Sequence, residues 1–203
     1  MIEKYNPILI LTALPFESRA ILNHHKINIK PKKLAATQIQ ESIYLIEVPI
    51  GFKLEPAILN REVKKISPKL LINFGICGAL DSSIPIGSAF DIRTVCHLND
   101  KLAEIQLLKN SEAFQSASLL TVDEPVLSAK LRNELQSKTG CRLVDMEAFH
   151  IAQFCEARQL PLLIIKNASD FADEDSLNII KANKTKLKQS MANAYEKLLT
   201  ALY

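Results

Sequence analysis

A chain of 203 residues that is 48% hydrophobic and 23% charged has the make-up of one domain with a packed core, which argues against intrinsic disorder. Its 25 basic and 22 acidic residues leave a formal charge of +3, too slight an excess to neutralise a nucleic-acid backbone, so no nucleic-acid partner is expected. Five Gly and nine Pro exclude low-complexity architectures, and the lack of Trp beside abundant Leu, Ile and Ala favours aliphatic α/β layers.

Residues Met1 to Asn6 carry Glu3 beside Lys4, and the apolar run that follows is too short for a signal sequence. No stretch approaches the ~20 apolar residues of a membrane span, so the expected location is cytoplasmic. Ile8 to Thr12 is a continuous apolar run of the kind that forms a strand buried on both faces, and Phe16 to Leu22 follows it with helical character. Ser42 to Pro49 alternates as a half-buried strand, and Glu55 to Ile66 returns to helical spacing. Leu70 to Phe74 is the second apolar run; Gly75-Ile76-Cys77-Gly78 after it reads as a turn. Ile86 to Arg93 supplies another strand.

Asp145 to Arg158 places Ala148, Phe149, Ala152 and Cys155 at three- and four-residue spacing, predicting a helix with Asp145 and Glu147 near its first turn. The third apolar run, Leu162 to Lys166, leads to Ser169-Asp170. After Asp175 and Ser176, both candidate N-caps, Ile180, Leu187, Met191, Tyr195, Leu198 and Leu202 stripe one long C-terminal helix. Lys181, Lys184, Lys186 and Lys188 fit its solvated face. Cys77, Cys96, Cys141 and Cys155 lack C-x-x-C spacing and read as buried free thiols. The pattern predicts a single three-layer α/β/α domain over residues 1–203 around a central mixed sheet.

In open α/β sheets ligands bind beyond the carboxyl ends of the strands, which here deliver Glu17, the Gly75 to Gly78 segment and Ser169-Asp170. If those strands are parallel neighbours, two carboxylates and a glycine-lined backbone converge on one cleft. Each feature also has a structural reading. First-turn carboxylates complement the helix dipole by roughly 0.3–1 kcal/mol, Glu17 suits the polar side of a helix, and Asp170 suits a cap.

The set A-L-P-F-E after the first run, N-F-G-I-C-G-A-L after the second, V-D-M-E at a helix start and A-S-D-F-A-D after the third resembles the nucleoside phosphorylase/nucleosidase superfamily. Matching segments cover about residues 7 to 22, 66 to 93 and 118 to 200. Within it the likeness is to the nucleosidases, of the 5′-methylthioadenosine/S-adenosylhomocysteine, futalosine and adenosylhopane-cleaving types. That resemblance implies a phosphorylase/hydrolase-like fold and hydrolysis of the N-glycosidic bond of an adenosine derivative. It implies Asp170 as the general acid toward the purine, a role that calls for a carboxyl kept protonated by partial burial, with Ser169 orienting it. It implies Glu17 as the base that activates water and Glu147 as the grip on the ribose hydroxyls, with Met146 against the sugar. Gly75, Ile76, Cys77 and Gly78 would flank sugar and base, and Val122 to Val126 would close over the purine, Val126 touching it.

A glutamate at position 17 would repel phosphate, so hydrolysis is favoured over phosphorolysis; a binder with little turnover is the other reading. Several positions depart from the family pattern. Cys77 and Ala79 replace smaller residues, Gly51-Phe52-Lys53 stands where a glycine pair usually precedes lysine, Lys166 replaces an arginine, and Pro125 stands near a usual aromatic. The stretch from Arg93 to Ser118 is too short for the usual central insertion. No metal-ligand spacing and no G-x-G-x-x-G occurs, so neither metal nor cofactor is expected. The expected partner is a small-molecule nucleoside, a homodimer being compatible. His24, His25 and His150 have no role in this scheme.

Overall fold

A computed structural model describes residues 5–31, 33–51, 56–98, 102–106 and 113–202. Strand β1 (Ile8–Thr12) leads into helix α1 (Pro15–His24), followed by β2 (Thr37–Gln40), β3 (Ile43–Glu47) and α2 (Pro56–Ile66). Two long strands come next, β4 (Leu70–Ala79) and β5 (Ala89–Leu98), then β6 (Leu102–Gln106), β7 (Gln115–Thr121) and α3 (Ala129–Thr139). The chain closes with β8 (Leu143–Asp145), α4 (Ala148–Glu156), β9 (Leu162–Asp170), α5 (Ser176–Ala182) and α6 (Lys184–Leu202).

The strands form one mixed sheet in the order β2-β3-β1-β4-β8-β7-β5-β6, with β9 paired to both β4 and β5. Strands β4, β8, β7, β5 and β9 therefore close into a ring. Strand β1 lies parallel to β4, and β4 parallel to β9, so the three apolar runs are side by side and point the same way.

Strand β1 shows why these runs are uniformly apolar. Ile8 and Ile10 join the core under α1 and α6, while Leu9 and Leu11 face the core under α2 and α4. Helices cover both faces, so no position of the strand meets water, and each such side chain contributes about 1.5–3 kcal/mol by burial. On α6, Leu187, Met191, Tyr195, Leu198 and Leu202 are buried as the stripe predicts, and Lys184, Lys186 and Lys188 are exposed, as is Lys181 on α5. All four cysteines are buried, and none of them forms a disulfide. Among the described residues no helix is long and apolar enough to cross a membrane.

The structure differs from the sequence reading at the element ends. Gly75 to Gly78 is not a turn but the second half of β4, because β9 runs alongside as its partner. Ser169 and Asp170 likewise end β9 instead of lying in a loop. Asp145 and Glu147 do not occupy a first helical turn: Asp145 ends β8 and Glu147 is the N-cap position of α4. The C-terminal helix is two helices, divided at Asn183, whose amide and side chain both bond the Ile179 carbonyl. Helix α2 is described from Pro56; Glu55, Phe52, Lys53, Glu3 and Lys4 lie outside the described residues.

Candidate functional site

Strand β4 changes partner along one edge. Its first half pairs with β1 through Leu70 to Asn73, and its end pairs with β8 at Gly78 and Ala79. Between these contacts the sheet forks, and the backbone of β4 is left without a strand on that side. Glu17 fills the opening. Its Oε1 accepts the Ile76 N–H at 2.8 Å, and its Oε2 accepts the N–H groups of Ala13 at 2.7 Å and Leu14 at 2.8 Å. Gly75 makes this fit possible, since a Cβ there would sit 2.7 Å from Oε1. Burial raises the Glu17 pKa above its ordinary value, against the lowering effects of the Lys166 charge and the three amides.

Ser169 and Asp170 reach the same opening from β9. Ser169 Oγ is placed to donate to Asp170 Oδ2 at 2.6 Å and to the Cys77 carbonyl at 3.0 Å, and the Ala172 N–H donates to Asp170 Oδ1 at 2.9 Å. Gly78 packs between strands: a Cβ there would meet Val144 Cγ1 at 3.0 Å and Ala172 Cβ at 3.1 Å. Burial pushes the neighbouring Cys77 thiol well above its usual range, which keeps it protonated.

The third wall comes from β8 and the start of α4. Glu147 Oε1 accepts the Gly51 N–H at 2.7 Å, where φ of +66° suits glycine. Its carboxyl is pushed up to about 7, by burial first and then by the Asp145 charge, against Lys166 and the Gly51 amide. Asp145 is held by the Thr121 hydroxyl at 2.7 Å and by Lys166 Nζ at 2.8 Å. Lys166 is 2% exposed. Burial alone would lower its pKa, but the carboxylates of Asp145, Glu147 and Glu17 reverse this and hold it above the ordinary lysine value. Sequence reasoning did not find the Lys166–Asp145 pair, since the partners lie on different strands with no local spacing to connect them.

Together these residues line a cavity of about 190 Å³. Asp170, Glu17, Glu147, Met146, Ser169, Ile76, Cys77, Gly78 and Val126 all border it, and Gly75 backs it behind Glu17. Val122 and Pro125 add the loop after β7, and Leu177 and Ile180 add α5, which the sequence reading had not connected with the site. Four carboxylates line the cavity (Glu17, Asp145, Glu147, Asp170), and among the described lining residues there is no lysine or arginine. Ile50, Leu127 and Leu177 at its border are exposed. Such a lining can hold a neutral, hydroxyl-rich ligand with an apolar ring, donate or accept protons, and stabilise positive charge. His150 does not border the cavity; its ring packs 5.2 Å from that of His97.

A family model described as the phosphorylase superfamily matches residues 90–202, more than half of the chain. Two curated relatives are 5′-methylthioadenosine/S-adenosylhomocysteine nucleosidases. That of Glaesserella parasuis is 28% identical over 139 residues, 54% of this chain and 59% of the relative. That of Buchnera aphidicola subsp. Schizaphis graminum is 23% identical over 192 residues, 77% of this chain and 80% of the relative. The chain thus spans 59% of the length of the first of these relatives. Among solved structures, the Helicobacter pylori 5′-methylthioadenosine/S-adenosylhomocysteine nucleosidase with butyl-thio-DADMe-Immucillin-A has a TM-score of 0.79 at 15% identity, covering 96% of this chain and 97% of that one. Futalosine hydrolase of Helicobacter pylori has a TM-score of 0.77 at 16% identity, covering 95% and 97%. At these identities the structural likeness is one of fold.

Proposed function

This chain belongs to the phosphorylase superfamily, and from that premise we propose that it is a purine nucleosidase that hydrolyses the N-glycosidic bond of an adenosine derivative. The observation that carries the reading is the lining itself: four carboxylates around one cavity with no described cation to hold a phosphate nucleophile. The names of the curated relatives, both nucleosidases, point the same way.

A carboxylate has about four lone-pair sites, and Glu17 uses three of them on backbone amides, two on Oε2 and one on Oε1. The remaining site on Oε1 is available to a water in the cavity, and the raised pKa makes Glu17 a stronger base toward it. Ser169 has one hydrogen for two acceptors. Donated to Asp170 Oδ2, that hydrogen orients the carboxyl without using the carboxyl's own proton, which is left to face the purine. In the reaction the bond from the anomeric carbon to N9 breaks as Asp170 gives its proton to the purine. A bond to the water oxygen forms, and Glu17 takes the water proton. Glu147 grips the ribose hydroxyls, and its negative charge favours the cationic sugar of the transition state over the neutral substrate. The exposed Ile50, Leu127 and Leu177 beside the opening suit an apolar 5′ substituent.

Purified protein is expected to release adenine from a panel of adenosine derivatives in phosphate-free buffer, and Asp170→Asn is expected to abolish release. Full turnover in that variant, or a requirement for phosphate, overturns the proposal.

A further inference from the structure

Outside the cavity, the fold assembles three potential metal ligands that the sequence spacing does not advertise: His97 near the end of β5, Asp123 in the loop after β7, and His150 on α4. One ligating atom from each lies within 4.8 Å of the other two. His97 Nε2 is 3.7 Å from Asp123 Oδ1, too far for a hydrogen bond. Two ligands of one tetrahedral ion with bonds of about 2.0–2.1 Å stand roughly 3.3 Å apart, so small side-chain movements convert the present spacing into coordination.

His97 carries the independent observation. It is 4% exposed, and both of its ring nitrogens are buried without a hydrogen-bond partner. Buried imidazole nitrogens are normally satisfied, and a stacking role against Phe149, whose ring centroid is 5.3 Å away, would leave both unsatisfied. A coordinated ion engages one nitrogen directly.

We propose that His97, Asp123 and His150 form a binding site for a divalent cation of the zinc class. Two imidazoles and one carboxylate select a borderline metal over the hard, oxygen-seeking magnesium or calcium ions. Three protein ligands leave a fourth position for water. The site is separate from the glycosidic chemistry and does not depend on it. Its effect is mechanical: Asp123 adjoins Val122 in the segment through Val126 that walls the cavity, so an ion ties that wall to α4.

The test uses the full chain without a histidine tag, freed of metal by a chelator and titrated with Co²⁺ by visible absorption and with Zn²⁺ by calorimetry. The expected result is one ion per chain with the intense visible bands of four-coordinate cobalt, and a melting temperature raised by Zn²⁺. Asp123→Asn alters a half-exposed side chain and keeps its size and shape. It is expected to weaken binding at least tenfold, no less than the loss of an outer-shell partner does, and to remove the melting shift. His150→Ala is expected to lose the cobalt bands. His24→Ala, at an exposed histidine on α1, is expected to change neither. No stoichiometric binding to the wild type, or bands and melting shift that survive in both Asp123→Asn and His150→Ala, overturns the proposal.

Discussion

A single methyl group at position 75 tests whether the placement of Glu17, and not merely its presence, sustains activity. Gly75 has no left-handed backbone requirement, so alanine brings no conformational strain of its own. Its Cβ would lie 2.7 Å from Glu17 Oε1, 3.1 Å from Cδ and 3.2 Å from Oε2. To restore ordinary contact the carboxylate must retreat by about 0.5–1 Å. That stretches the 2.8 Å bond from Ile76 N–H beyond useful length. Loss of a hydrogen bond to a charged group corresponds to about 1.5–3 kcal/mol, read as a melting temperature lower by roughly 4–10 °C for a domain of this size. A reacting group misplaced by about 1 Å slows chemistry on the order of 100-fold. Steady-state kinetics of Gly75→Ala are therefore expected to show kcat down about 100-fold with KM little changed, and the Glu17→Gln background is expected to mask most of that loss. A Gly75→Ala protein with the lowered melting temperature but kcat within about threefold of wild type would refute the reasoning.

Two further outcomes follow from the buried charges. Lys166→Met leaves Asp145 buried without its 2.8 Å partner and is expected to destabilise the fold by about 3–5 kcal/mol in chemical denaturation, a loss that Lys166→Arg should largely avoid. Glu147 titrates near 7 when folded and near 4.5 when unfolded, so between those values the folded protein holds the extra proton and stability falls as pH rises. The gap corresponds to ~3 kcal/mol lost by the time pH passes 7; denaturation curves of wild type against Glu147→Gln should show that slope disappearing in the variant, while adenine release in the wild type declines as pH drops through 7.

The parts of this architecture that could be read from the chain are those where each residue meets the same surroundings. Ile8 to Thr12 matches β1 residue for residue because both faces of the strand are covered by helices. Strand ends were harder to read. Gly75 to Gly78 and Ser169-Asp170 are small or polar, as loops are, and they extend strands only because β4 and β9 pair with each other. Strand β8 has three residues, too few for any periodicity, which moved Asp145 and Glu147 into a helix they do not join. Helix α3 buries only Leu135 and so shows no apolar stripe, although Ser128 as N-cap and Gly140 in the left-handed C-cap position were visible marks of its ends. The acidic positions were found through motif order, whereas Lys166 against Asp145 and His97 against His150 are tertiary pairings between elements far apart in the chain.

The fork beside β4 carries one more implication, for the behaviour of the protein in crowded solution. An interrupted ladder exposes main-chain donors that could recruit an extended segment from another molecule, the usual route from a sheet border to aggregation. At Ile76 that donor is already occupied, by the carboxylate of Glu17 reaching back from the start of α1. One acidic side chain thus seals a vulnerable border while leaving room for a small guest, and its loss removes the stopper along with the proposed base.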